Sequence, residues 1–159
     1  MSPAAQQTPR QDANPIHDYY ERIFEILPWA AFVLDEPGSI IDFNIVGAEL
    51  IVEKPSAVNR LLAGEALGCV HAGECGGCGN APACKKCGLR NSLNETSRTG
   101  RARISVVPME FFRDDTIVET RFLIATTPIT IQPPLSILMT MQDLDEVNRL
   151  YPSVETRRS

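Results

Sequence analysis

The chain has 159 residues, 43% of them hydrophobic and 22% charged, and a formal net charge of −5. That length suits one domain with a real core, and both fractions are ordinary for a globular protein. The acidic balance argues against a nucleic-acid partner, which wants clustered Lys and Arg; Lys85 and Lys86, with Arg90, Arg98, Arg101 and Arg103 beyond them, read as solvated loop charge. No apolar run approaches the roughly 20 residues that span a bilayer, and no secretory signal is visible, so no membrane role is expected and the expected compartment is the cytoplasm, where thiols stay reduced.

Residues 1–13 are polar and aperiodic and read as a disordered tail. Asn14 and Pro15 look like the N-cap and first position of a helix over 14–28, which Pro28 ends. Its apolar stripe, Ile16, Tyr20, Ile23 and Leu27 widened by Tyr19 and Ile26, reads as core packing or as a homodimer seam through residues 16–27. The segments 29–35 and 39–44 then form a hairpin around the turn at Pro37 and Gly38. Helical spacing follows over 45–54, with room for a short helix within 56–67 and another over 88–100. Three strands rich in β-branched residues come next, at 103–112, 116–131 and 135–144, separated by Arg113-Asp114-Asp115 and by Gln132-Pro133-Pro134. The order predicts an α+β domain over 29–147: a five-stranded antiparallel sheet with short helices on one side, preceded by the N-terminal helix and followed by a tail over 148–159. Trp29 reads as core or edge packing, and of the neighbours Phe111 and Phe112 one should face the core and the other the surface.

All five cysteines fall in one glycine-rich stretch, with the spacing C-x5-C-x2-C-x5-C-x2-C from Cys69 to Cys87. An odd number in a reducing compartment argues against a disulfide framework. The units CGGCG (75–79) and CKKCG (84–88) have the form of metal knuckles: two intervening residues let both sulfurs face one ion, and the following Gly permits a tight turn. A thiolate tetrad suits Zn²⁺, which the knuckle form favours, or a [4Fe–4S] cluster as the alternative. Knuckle geometry alone selects Cys75, Cys78, Cys84 and Cys87, and His71 is a further substitute ligand. A redox dithiol is the competing reading of the same residues. Glu65 and Glu74, the carboxylates nearest the cysteines, read as surface residues.

The stretch DEPGSIIDFN (35–44), taken with the element order, resembles a PAS domain over about residues 16–147. Asp35, Gly38, Ile40 and Asn44 stand where that family's hairpin carries its motif, and Asp143 matches the Asp that leads into its signalling helix, although Asp145 replaces the usual Thr. A cysteine-bearing bacterial subset of that family is similar over Gly64–Val70, Gly77–Gly79 and Cys84–Gly88, within an insertion spanning 65–100. The resemblance implies ligation by Cys69, Cys78, Cys84 and Cys87, leaving Cys75 outside, and a sensory module acting on a histidine kinase or transcription regulator. Only residues 148–159 follow the matched region, so the expectation is a single-domain protein acting in trans, or a fragment. Haem and flavin are not expected: the covalent haem motif C-x-x-C-H is absent, and flavin has no motif by which the sequence could be judged. No nucleophile elbow, phosphate loop or H-E-x-x-H helix occurs, so an enzyme is not expected; a thiol-disulfide oxidoreductase or an iron–sulfur electron-transfer protein is the alternative.

Overall fold

The computed structural model describes residues 15–52, 57–58, 60–130 and 133–152. Expectations for the tail at 1–13, for Asn14 as a helix cap and for the last seven residues lie outside them. Helix α1 spans Pro15–Ile26, and strands β1 (Ala30–Asp35) and β2 (Ile40–Phe43) form the first hairpin. Helices α2 (Ile45–Leu50), α3 (Ala63–Ala66) and α4 (Val70–Glu74) follow, then a 3-10 turn at Pro82–Lys86 and helix α5 (Gly88–Thr99). Strands β3 (Arg103–Arg113), β4 (Thr116–Pro128) and β5 (Ser136–Asp143) complete the sheet, and α6 (Leu144–Leu150) leaves it. Helix α6 runs straight across the position, Val147, at which the sequence reading ends the domain.

Every strand pair is antiparallel, and the order across the sheet is β2-β1-β5-β4-β3. The last strand therefore inserts beside the first, which ties the two halves of the chain together. Strand alternation puts one face of the sheet into the core. That face carries Phe32 and Leu34 from β1, Ile137, Met139 and Met141 from β5, Phe122 and Ile124 from β4, and Val107, Met109 and Phe111 from β3, all buried. Phe111 meets Phe122 edge to face, with ring centroids 5.7 Å apart, while Phe112 points outward. Leu89 and Leu93 of α5 and Ala63, Ala66 and Leu67 around α3 close the core from the helical side.

The hairpin turn and the helix that follows it are fixed by side-chain hydrogen bonds. Asp35 accepts from the Ser39 amide at 2.7 Å, and Gly38 sits at φ +93°, a conformation costly for other residues. Asn44 is 1% exposed, and its Oδ1 accepts from the Gly47 amide at 2.8 Å, capping α2. The same oxygen accepts from the Ala31 amide, while Nδ2 donates to the carbonyls of Phe24 and Trp29. Asn44 thus joins the end of α1, the start of β1 and α2. Helix α1 itself buries no residue: Ile16, Tyr19, Tyr20, Ile23 and Ile26 all remain exposed.

Candidate metal centre

The cysteine stretch is built as three short pieces folded over the β3 edge. Gly68, at φ +73°, turns the chain between α3 and Cys69, and its carbonyl accepts from the Phe112 amide at 2.9 Å. Cys69 pairs with Phe111 as an isolated bridge. The Arg113 guanidinium, lying 5.0 Å from the Phe111 ring centroid, donates to the Leu67 carbonyl at 2.8 Å and to the Leu50 carbonyl at 3.1 Å. Burial pulls its pKa below the ordinary guanidinium value, partly opposed by Asp114.

Four cysteines border one space: Cys69, Cys78, Cys84 and Cys87 all line one cavity of about 40 Å³, together with Leu62, Leu89, Leu93 and Met109. Cys84 is buried and the other three are half-buried. Cys75 does not line the cavity and is exposed. The two C-x-x-C units, equivalent in sequence, are therefore not equivalent in space: both members of the second reach the cavity, but only the second member of the first does. Cys69, from the far side of α4, supplies the fourth sulfur.

Close packing fixes Cys78. A Cβ placed on Gly64 would lie 2.6 Å from its Sγ, so only glycine leaves room there. Glu65 is a strut and not the plain surface residue the sequence suggests: one carboxylate oxygen accepts from the Leu62 amide at 3.1 Å, the other from the Cys78 amide at 3.2 Å. Gly79, at φ +95°, lies beneath Arg90, whose Nη1 would be 2.5 Å from a Cβ there. Gly88 opens α5 against Val107, 2.9 Å from where its Cβ would be, and so holds the helix start close to β3.

Electrostatics around the sulfurs favour negative charge where burial opposes it. Burial pushes the Cys69 thiol up, offset in part by hydrogen bonds from the His71 and Ala72 amides. Burial likewise raises Cys78, against a hydrogen bond from the Gly64 amide and the hydrogen bond and charge of Arg90. Each of these two thiols also feels Cys87 as a like charge, which places the three within electrostatic reach of one another. Helix α5 begins one residue after Cys87, so its positive end faces the cluster. His71 lines the cavity but turns its ring to carboxylates, with Nδ1 3.2 Å from Glu74 and Nε2 3.9 Å from Glu110. Amide and guanidinium donors aimed at clustered sulfurs are the environment a bound thiolate centre needs, so the residues present fit such a group.

The sulfurs are drawn together without being closed on a point. Among the described residues, the only three His, Cys, Asp or Glu ligand atoms mutually within 4.8 Å are those of His17, Asp18 and Glu21 on the exposed face of α1. No three of the cysteine sulfurs lie that close. Four thiolates on one zinc ion, with Zn–S near 2.3 Å, would sit roughly 3.8 Å apart.

At the exit of the sheet, Asp143 Oδ1 accepts from the amides of Asp145 and Glu146, capping α6. Thr120 of β4 donates to both Asp143 and Asp145, and Arg121 clasps Asp145 with Nη2 2.7 Å from Oδ1. The Arg121 hydrogen bonds hold the Asp145 carboxyl below the usual carboxylate range. Sequence reasoning missed Gly64, Arg90 and Arg113 as positioning residues; only Gly64 carried a signal, as part of the glycine pattern before Cys69.

This sheet order, with the helices packed on one face and a capped helix leaving the final strand, is the PAS fold. The chain resembles the PAS domain of a protein from Colwellia psychrerythraea (TM-score 0.57, 15% identity, covering 80% of this chain and 96% of that one). It also resembles the PAS domain of nitrogen regulation protein NR(II) from Vibrio parahaemolyticus (TM-score 0.55, 17% identity, 78% and 96%). A PAS domain from a two-component sensor histidine kinase is similar as well (TM-score 0.53, 7% identity, 83% and 99%). No family model matches the chain, and no curated protein matches it. Among the described residues no helix is long and apolar enough to cross a membrane.

Proposed function

We propose that the chain is a sensory or regulatory module in which a thiolate-bound inorganic centre, held by Cys69, Cys78, Cys84 and Cys87, controls a partner protein. The observation that carries this reading is the meeting of four sulfurs from three separate segments in one small cavity, with Cys75 left out. The cavity, at about 40 Å³, suits a compact inorganic group better than an organic cofactor, whose pockets run to roughly 300 Å³ and more. A [4Fe–4S] cluster binds each thiolate on a different iron, so its ligands stand further apart than those around one ion; that no three of these sulfurs lie within 4.8 Å of one another agrees with the cluster, which we take over zinc. Bound there, the centre would supply a redox-responsive or metal-responsive link across α3, α4 and α5. The chain's own residues position the sulfurs, donate amides to them and exclude water with Leu62, Leu89 and Met109.

The output fits a kinase or regulator as the controlled partner. One similar domain belongs to a sensor histidine kinase, and α6 leaves the sheet through a clasp that rearrangement of β4 would disturb. The exposed apolar stripe on α1 supports self-association through that helix. Anaerobic purification followed by metal and sulfide analysis and a visible spectrum tests the centre. The expected result is iron and sulfide in equal amounts with a broad brown absorption, lost on Cys84→Ser and retained on Cys75→Ser. Stoichiometric colourless zinc would replace the cluster by an ion, and four freely reactive thiols with no metal would overturn the reading.

A further inference from the structure

The metal cavity has a second side. Cys69, Cys87 and His71 line not only the cavity but also an open groove of about 490 Å³ on the outer surface. The groove runs between α4 and the 3-10 turn on one bank and β3 on the other, with exposed Val106 and Glu110 along the β3 bank. Cys78 and Cys84 do not line it. Two of the four cysteines thus border both the cavity and the groove, while Cys78 and Cys84 border the cavity alone. His71 belongs to the groove lining, beside Cys69 in sequence. It stands on α4, and its Nε2 lies 3.9 Å from the Glu110 carboxylate on β3.

From this arrangement we infer that the groove is the port through which metal is loaded and withdrawn, and that Cys69 and Cys87 are the ligands exchanged first. This rests on the reading of the cavity as a metal centre. The ligand is a transition-metal cation or the thiol or chelator that carries it. An incoming cation meets the imidazole of His71 and the carboxylates of Glu110 and Glu119 before it reaches sulfur, a rim of oxygen and nitrogen ligands in front of a softer site. Cys78, seated against Gly64 and under Arg90, and buried Cys84 are the anchoring pair. Exchange is a ligand substitution: each metal–thiolate bond breaks, a donor atom of the chelator takes its place on the metal, and the released thiolate picks up a proton from solvent; from a [4Fe–4S] cluster the bridging sulfides also leave, protonated as hydrogen sulfide, and dithionite added with the chelator supplies the electrons that bring its ferric irons to iron(II).

The test uses the metal-loaded chain and an excess of a coloured chelator, ferrozine for iron or pyridylazoresorcinol for zinc, and follows release with time. Val106→Trp fills the groove from an exposed position. It is expected to slow release several-fold while leaving metal content and spectrum as in the parent. His71→Ala removes the imidazole from the groove lining and opens the way to Cys69, and is expected to speed release several-fold. Ile117→Trp adds the same ring at another exposed site, outside the groove, and is expected to change nothing. Release from Val106→Trp at the parent rate, from a chain that is fully loaded, overturns the port while leaving the centre standing. A parent chain that holds no metal sinks the centre and the port together.

Discussion

Gly64 shows how much of the site rests on a side chain that is not there. The Cys78 sulfur occupies the space a Cβ would need, at 2.6 Å, well inside any tolerable contact. Gly64→Ala should therefore displace Cys78 and strip the centre, although alanine is the better helix former. Metal content after purification checks this; a Gly64→Ala chain that loads fully would mean that Cys78 has freedom to move. Asn44 is the opposite case, a buried side chain whose every polar group is used. Asn44→Ala leaves the Ala31 and Gly47 amides and the Phe24 and Trp29 carbonyls without their partner. Buried polar groups left unpaired cost about 1–3 kcal/mol each, and with relaxation and water a net loss of about 2–4 kcal/mol is expected in urea unfolding. Both residues were visible in the sequence, but not for the same reasons. Asn44 announces itself as a helix cap after a strand. Cys75 and Cys78 offer identical local chemistry, and spacing alone could not say which one turns inward. That choice is made by Gly64 and Glu65, more than ten residues away, through contacts that exist only after folding.

Among the elements, the strands were the most legible. Their β-branched runs alternate, and the buried set on β3, β4 and β5 falls on one face. The ends were less so: β4 stops at Pro128 and α2 at Leu50, because tertiary pairing and not propensity decides where a ladder or helix ends. Helix α5 is held to the sheet partly by a buried hydroxyl pair, Thr96 to Thr126 at 2.7 Å. Thr96→Val keeps the shape and removes the bond, and the fold should lose about 1–2 kcal/mol, read as a shift of the unfolding midpoint at constant slope. At the other end of the sheet, Arg121 and Asp145 join β4 to α6 on the surface. The Asp145 carboxyl is depressed in the folded chain, so its stabilising effect is present above the ordinary aspartate value and disappears as pH falls through the lowered one. Protection of the α6 amides, taken relative to the intrinsic exchange rate at each pH, should accordingly fall at acid pH, and Asp145→Asn should show that lowered protection already at neutral pH with little further acid response. An α6 protected equally in both chains would show that the clasp contributes nothing to the exit helix.

At the scale of the molecule, two parts of unequal self-sufficiency share one sheet. The strands carry a continuous apolar core from Phe32 to Met141. The stretch 68–87 has few buried side chains of its own, Val70, Ala81 and Cys84, and is otherwise glycine, charge and turn. It is fastened at a handful of points: the Gly68 carbonyl on Phe112 and Cys69 beside Phe111 tie it to the sheet, and Glu65 of α3 holds the Cys78 amide. Such a segment gains its remaining order from whatever the four sulfurs bind, since a group that binds only the folded arrangement stabilises it by mass action. Chelation should then act on this segment far more than on the sheet. Hydrogen exchange measured on the loaded and the stripped chain should show amides of 69–87 losing protection on metal removal, while those of β1, β4 and β5 keep theirs. The start of α5 should follow the loop, because Cys87 precedes it directly, whereas the Thr96 turn, tied to β4, should follow the sheet. That split would place the boundary between the responsive unit and the scaffold inside α5. Uniform loss of protection across both parts would instead make the centre a staple for the whole fold, and a loop as well protected without metal as with it would leave the sulfurs no part in ordering the chain.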